Sequence, residues 1–311
     1  MGWDGGIVRM MMHRSTWPPG ARAIAALLLV AGLLPRPCSS LDNGLALTPI
    51  MGWNTWDHFR CSGGKTGGLG HPCNAAMDNC VSEVLIRQVA DAIVARGLKG
   101  AGYEYINLDD CWMAKSRDQQ GKLQPDATRF PTCIMANLSA FVHSRGLKLG
   151  IYEASGGHTC CGFPGTDGPT HAEADVDSFS EWNVDMLKWD GCGTGAGGDY
   201  NKSYTAMYHA LTRPHIRPMV YSCSWPAYIN ILGTCSGHPA GCDFANVPGG
   251  YGYLAKICNM WRLYSDITDE YSSGMGNPMG FADIAHYWAL KQDELVPFHG
   301  PGHWNDPDVR D

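Results

Sequence analysis

The chain has 311 residues, 44% hydrophobic and 17% charged, which excludes intrinsic disorder and is enough for one large domain or two modest ones. A formal net charge of −7 at pH 7 excludes the basic footprint that a nucleic-acid partner requires.

The first feature in chain order is an apolar run over 23–34, behind Arg14 and Arg22 and followed by Pro35. It is too short to cross a bilayer and has the length of a secretory h-region, so residues 1–40 are expected to be a signal peptide and leader. A buried N-terminal helix is the alternative. No second long apolar run follows, and no stable membrane insertion is expected. Thirteen cysteines in a chain on the secretory route argue for disulfides rather than metal sites. Cys38 falls in the leader, leaving twelve, and neither a paired CxxC nor a His-rich spacing marks a zinc site. Asn137-Leu138-Ser139 and Asn201-Lys202-Ser203 fit the N-glycan acceptor pattern.

Beyond residue 40 the chain repeats a short apolar strand, a polar or Gly-rich loop and an amphipathic helix. Strands are predicted at 50–56, 103–110, 148–154, 184–191, 219–225, 260–267 and 299–306. Helices are predicted over 82–97, 134–146 and 172–184; in the first, Val84, Leu85, Val89, Ile93 and Val94 form a stripe that ends at Gly97. Alternating strands and helices leave an open doubly wound sheet or a barrel. Nearly every strand ends in Asp, Trp, Cys or Tyr, which is how a TIM barrel builds its active-site face, and no GxGxxG follows the first strand. The expected fold is therefore an α/β (β/α)8 TIM barrel over 41–311. With seven strands counted, the barrel is expected to be truncated before its eighth, leaving the first and seventh with unpaired edges.

Four strand ends carry residues suited to chemistry. Lys188 and Asp190, at i and i+2 of the fourth strand, project from one face, and an ammonium keeps a neighbouring carboxylate ionised, as a nucleophile must be. A barrel-capping ion pair is the alternative. Arg262 and Asp266 share a face of the sixth strand if the strand runs that far; read alone, Asp266 is a solvated loop residue. Two carboxyl groups about 5–5.5 Å apart make a retaining glycosidase and a wider spacing an inverting one, a distance that sequence does not fix. Asp109 and Asp110 end the second strand and, if buried, need donors such as Arg, Lys or sugar hydroxyls. Trp56 ends the first strand and is either a stacking wall for a sugar or a core residue.

Six motifs occur in register: Met51-Gly52-Trp53-Asn54-Thr55-Trp56, Leu108-Asp109-Asp110-Cys111-Trp112, Gly146-Leu147-Lys148-Leu149-Gly150-Ile151-Tyr152, Lys188-Trp189-Asp190-Gly191, Trp261-Arg262 through Asp266, and Gly300-Pro301-Gly302-His303-Trp304-Asn305-Asp306-Pro307-Asp308. Together they resemble glycoside hydrolase family 27, the animal α-galactosidases and α-N-acetylgalactosaminidases, over residues 41–308. The resemblance implies a retaining exo-glycosidase without a cofactor or metal, with Asp190 as nucleophile and Asp266 as acid/base, the latter holding its proton through a raised pKa. Asp109 and Asp110 then hold O4 and O6 of a galactose-type sugar, Lys188 holds O3 and O4, and Arg262 lies near the C2 substituent. Trp56 stacks on the sugar, and Tyr152, Cys160 and Tyr228 line the pocket. Positions matching Ser224 and Ala227 face the C2 substituent; the α-galactosidases carry Glu and Leu there, so the small pair here implies α-N-acetylgalactosamine as the sugar. An α-galactosidase, or a catalytically inactive relative, is the alternative.

The resemblance further implies the disulfides Cys61–Cys111, Cys73–Cys80, Cys160–Cys192 and Cys223–Cys258, leaving Cys133, Cys161, Cys235 and Cys242 unassigned. It implies glycolipid, glycopeptide or oligosaccharide substrates, a lysosomal or extracellular location, and a homodimer in a full-length form. The family's C-terminal β-sandwich is expected to be missing. At Glu153-Ala154 the sequence departs from the family's Ala-Asp, which moves a carboxylate to the other face of the third strand.

Overall fold

The computed structural model describes residues 41–61 (the side chain of Asp57 apart), 73–74, 76–77, 79–132, 134–194, 198–231, 243–268, 270–272 and 279–308. The leader and Cys133, Cys235 and Cys242 lie outside the described residues. Seven parallel strands stand side by side in chain order: β1 (Gly52–Asn54), β2 (Tyr105–Leu108), β3 (Lys148–Ala154), β4 (Met186–Asp190), β5 (Val220–Cys223), β6 (Met260–Arg262) and β7 (Trp304–Asp306). Among the described residues β1 and β7 form the edges of the sheet. The sheet curls, because Tyr105, Met186, Val220 and Met260, from strands that are not all neighbours, pack into one cluster. All four open their strand or stand at its first pairs, so this cluster fills the end of the barrel opposite the C-terminal strand ends.

Between strands run α1 (Trp56–Phe59), α2 (Glu83–Ala95), α3 (Met135–Ser144), α4 (Ala172–Glu181), α5 (Tyr200–Leu211), α6 (Trp225–Asn230), α7 (Gly250–Ile257) and α8 (Phe281–Leu295). Ser82 caps α2 by accepting the N–H of Leu85, satisfying one of the first-turn donors. The buried stripe of α2 is Leu85, Ile86, Ala90 and Ile93, whereas Val94 of the predicted stripe is exposed. The helices cover the outer sheet face, where Trp189 and Trp261 are fully buried together with Trp112. Truncating one of these to Ala would cost roughly 3–5 kcal/mol. Among the described residues no helix is long and apolar enough to cross a membrane.

Five strands stop short of their predicted C-terminal ends while β3 and β7 end where predicted, and the reason bears on the site. β2 stops at Leu108 and β6 at Arg262, so Asp109, Asp110 and Asp266 stand on loops, and Trp56 opens α1 rather than closing β1. The backbone leaves the ladder as soon as side chains take over its polar groups. Thr55 Oγ1 accepts the Asp109 N–H at 2.9 Å, and Asp109 Oδ1 accepts the Asp110 N–H at 2.8 Å.

Candidate active site

Parallel pairing places the strand ends level with one another: Tyr152 opposite Lys188, and Ala154 opposite Asp190. Above them lies a cavity of about 250 Å³ lined by Trp56, Asp109, Asp110, Tyr152, Cys160 and Lys188 on one part of its wall. Asp190, Cys192, Tyr228, Ile231, Arg262, Ser265 and Asp266 complete it. That is smaller than the ~300–1,000 Å³ of pockets that take drug-sized ligands, and so suits one sugar ring.

Asp190 ends β4 almost fully buried and accepts hydrogen bonds on Oδ1 from the Tyr228 hydroxyl and, at 3.2 Å, from the Cys192 N–H. Gly191 makes that contact possible, since a Cβ there would come within 2.5 Å of the Tyr228 ring. The disulfide Cys160–Cys192 lies on the same wall, with the Cys160 sulfur 3.7 Å from Asp190 Oδ1 and 3.6 Å from the Tyr152 hydroxyl.

Lys188 and Asp190 do share a face, as the alternation requires, but the ammonium does not cap Asp190. Its hydrogen-bonded partner is Asp109, two strands away, at 2.6 Å. Burial works against the Lys188 charge, yet Asp109, Asp308 and Asp190 outweigh it and hold its pKa above the ordinary value. Asn54 Nδ2 donates to Asp109 Oδ2 at 2.9 Å, while Asn54 Oδ1 accepts the Trp56 N–H at 2.7 Å. One buried amide therefore fixes both Asp109 and the start of α1 that carries Trp56. Asp110 accepts N–H groups from Cys111 at 2.6 Å and Cys161 at 3.0 Å. Burial nonetheless raises its pKa to about 6, with Asp109 adding to the shift against the donors around it.

Arg262 donates to Asp266 four residues on, across the loop that follows β6. The Arg262 charge is the main influence on Asp266 and, with Lys188 and Arg60, holds its carboxyl below the usual range against the effect of burial. This corrects the expectation that Asp266 carries a raised pKa: Arg262, expected near the C2 substituent of the sugar, acts first on the Asp266 carboxyl.

The four disulfides implied by the resemblance, Cys61–Cys111, Cys73–Cys80, Cys160–Cys192 and Cys223–Cys258, are joined in the structure. Sulfur and carboxylate groups cluster at Cys61, Asp110, Cys111 and Cys161, and at Cys160, Asp190 and Cys192. The disulfide-bonded sulfurs among them offer no thiolate to a metal. Asn137 and Asn201 are exposed in the first turns of α3 and α5.

Ser224 and Ala227 do not themselves form the cavity wall. Both are buried, at 1% and 0% exposure, and neither lines the cavity; α6 turns Tyr228 to the wall instead. Glu153 faces away from the cavity, as the register predicts. It is buried beside the Arg117–Asp175 ion pair, and burial followed by Asp175 drives its pKa well up. Two residues with evident roles, Asn54 and Asp308, stood inside quoted motifs without an assignment. Their signal was a polar residue at a strand's C-terminal end, in Trp53-Asn54 and in Asp306-Pro307-Asp308.

The family model described as alpha galactosidase A matches residues 48–310. The chain belongs to glycoside hydrolase family 27. It is 45% identical over 269 residues to the α-N-acetylgalactosaminidase of Gallus gallus, covering 86% of this chain and 58% of that protein. To the α-galactosidase A of Homo sapiens it is 39% identical over 289 residues, covering 93% of this chain and 59% of that one. The solved α-galactosidase of Saccharomyces cerevisiae matches with a TM-score of 0.65 at 30% identity, covering 86% of this chain and 53% of that one. The chain thus spans a little under three-fifths of the length of these curated family 27 relatives.

Proposed function

We propose that the protein is a retaining exo-glycosidase that removes terminal α-linked N-acetylgalactosamine from glycoconjugates. The observation that carries this reading is that Asp190 and Asp266, from β4 and the loop after β6, wall one small cavity whose other polar groups are Asp109, Asp110, Lys188 and Arg262. The Asp190 carboxylate attacks the anomeric carbon as the bond to the aglycone oxygen breaks, and Asp266 gives its proton to that oxygen. A water then passes a proton to Asp266 and its oxygen to the anomeric carbon, and Asp190 leaves with its charge restored. Trp56 offers an aromatic face to the sugar, and the Lys188–Asp109 pair supplies a fixed donor and acceptor for hydroxyls.

The choice of N-acetylgalactosamine over galactose rests on the small side chains Ser224 and Ala227, which carry nothing that could fill the space beside C2, and on the similarity to the Gallus gallus enzyme. On the same resemblance we propose a secretory-pathway location, lysosomal or extracellular, and a homodimer for the full-length form. The test is to follow hydrolysis of matched aryl α-N-acetylgalactosaminide and α-galactoside by ¹H NMR. The α anomer of the sugar is expected to appear first, with the larger kcat/KM on the acetamido sugar. The β anomer first would overturn the double displacement, and a preference for galactose would overturn the specificity. Asp190→Asn is expected to abolish turnover while sugar binding persists.

A further inference from the structure

Close to Asp266, but off the wall of the cavity, stands a second carboxyl group that the double displacement does not use. Asp308, just beyond β7, has a side chain about 9% exposed, with its Oδ2 accepting the Ile267 N–H at 2.8 Å, the first peptide after Asp266. Its Oδ1 lies 3.8 Å from Arg262 Nη1, the same nitrogen that donates to Asp266. Asp306 Oδ1 accepts the Asp308 N–H at 2.9 Å, closing a short turn that aims the side chain back across the strand ends. The backbone of Asp308 is left-handed, at φ 83°, a conformation that Asp and Asn tolerate better than most residues. A strained, buried carboxylate that reaches 41 residues back to one peptide N–H is over-determined by its environment.

We propose that Asp308 is a positioning residue for Asp266: it pins the backbone immediately beyond Asp266 and divides the Arg262 guanidinium between two carboxylates, so that Asp266 keeps a proton for the leaving oxygen. The inference rests on the proposed reading of Asp266 as the acid. Its physical basis is a shortage of cations. The charged groups facing Asp308 are Arg262 from β6, Asp266 from the loop after it, Lys188 from β4 and Asp306 from its own strand. Lys188 is already committed to Asp109 and Arg60 is a lesser influence on Asp266, so Arg262 is the guanidinium that Asp266 and Asp308 share. Two carboxylates around one cation in a buried site do not both ionise readily, and the pair titrates as a unit. Burial, with Asp266 and Asp306, pushes Asp308 up to about 7 against Arg262 and Lys188, while Arg262 draws Asp266 down. A proton is therefore held at the pair up to near neutrality and can be delivered at Asp266. Without Asp308, Asp266 would face the whole Arg262 charge and lose its proton at lower pH.

The experiment compares pH profiles of kcat/KM for the parent protein, Asp308→Asn, Asp308→Ala and Asp266→Asn, each with an activated and a poor aryl leaving group. Asn keeps an acceptor for the Ile267 N–H and suits the left-handed backbone, but cannot titrate. In Asp308→Asn the basic limb is expected to move about one unit lower, with a loss of roughly 10-fold on the poor leaving group near neutrality and little loss on the activated one. Asp308→Ala is expected to lose rate on both substrates, because it also frees the loop. An unmoved basic limb in Asp308→Asn overturns the inference. If Asp266→Asn loses equally on both leaving groups, or no variant or parent turns over, the acid assignment fails and not the pairing. The pairing is read independently in parent protein labelled with ¹³C-aspartate. There a buried carboxyl resonance titrating near pH 7, with a linked displacement of a second, is expected, and its absence overturns the inference even where Asp308→Asn fails to fold.

Discussion

The Tyr228 hydroxyl and the Cys192 peptide N–H both donate to one oxygen of Asp190, Oδ1. In the proposed double displacement the second oxygen, Oδ2, is thereby the one left to meet the anomeric carbon. Tyr228 is held against Gly191 by ring contact and touches the Cys192 sulfur at 2.9 Å, so the hydroxyl cannot swing away without repacking.

Removing that hydroxyl should therefore act on rate more than on folding. Tyr228→Phe keeps the ring packing and deletes a hydrogen bond to a charged group, worth about 1.5–3 kcal/mol. The expected outcome is a fall in kcat/KM of roughly 10- to 100-fold, alike for good and poor leaving groups because the nucleophile and not the acid is disturbed. Steady-state kinetics on two aryl glycosides check it; a loss confined to the poor leaving group would show that Tyr228 serves the acid instead.

Much of this arrangement was readable in the sequence, and what escaped has a common cause. The positions of Asp109, Asp190 and Arg262 follow from strand alternation and from the rule that barrel strands present their chemistry at the C-terminal end. Partners did not follow, because pairing depends on loop reach. Lys188 binds Asp109 across two strands rather than Asp190 beside it, and Asp308 reaches Ile267 over 41 residues. Strand length was overestimated at β6 because Leu263, Ser265 and Asp266 continue a plausible alternation after the ladder has ended at Arg262. Burial escaped as well: Ser224 and Ala227 look like pocket residues by position, yet the first turn of α6 rotates them off the wall.

Stability should fall as pH rises from about 4 toward neutrality. Asp110 is raised to about 6 and Asp308 to about 7, both first by burial, and Asp306 and Glu153 are raised in the same direction. A carboxyl that holds its proton more tightly when folded stabilises fully below its unfolded pKa, and that contribution is lost as pH climbs through the folded pKa. Asp266, lowered by Arg262, works oppositely and gains above its unfolded value. The raised groups outnumber it, and two pKa units on Asp110 alone correspond to about 3 kcal/mol at most. The Tm is expected several degrees higher at pH 5 than at pH 7.5, with Asp110→Asn flattening the difference. Calorimetry across that range checks it, and a Tm that rises toward pH 7.5 would contradict the sign.

The buried Cys61–Cys111 disulfide should contribute strongly to stability. It closes 50 residues of sequence separation and joins the end of α1 to the residue after Asp110, which sits at φ 75°. Loop-closure entropy for that span corresponds to about 4 kcal/mol, and the bond also steadies the Trp56 and Asp110 walls of the cavity. Cys61→Ser with Cys111→Ser is expected to lower both Tm and sugar affinity. Non-reducing peptide mapping of secreted protein should show the link directly; thiols found free at both positions would remove the basis for either effect.

Specificity gives the sharpest contest between sequence and structure. The small pair Ser224 and Ala227 argues for space beside C2, yet both side chains are buried and off the cavity wall. The double change Ser224→Glu with Ala227→Leu must therefore do one of two things. If the new side chains extend past Tyr228 to the cavity, Glu offers the 2-hydroxyl of galactose a charge-assisted hydrogen bond and Leu takes the room of an acetamido methyl. Selectivity should then swing toward α-galactosides, by rejecting the larger sugar more than by gaining the smaller one. If they cannot extend, they overpack the first turn of α6, at a cost of about 1–3 kcal/mol, and disturb Tyr228 and with it Asp190. In that case both substrates should lose rate together and the Tm should fall. The ratio of kcat/KM on the two aryl glycosides, read beside the melting curve, separates these outcomes. A swing in ratio with an unchanged Tm is the expected result, because Tyr228 and Ile231, on the same short helix and its C-cap, line the cavity, so that longer side chains at 224 and 227 have its open space to extend into.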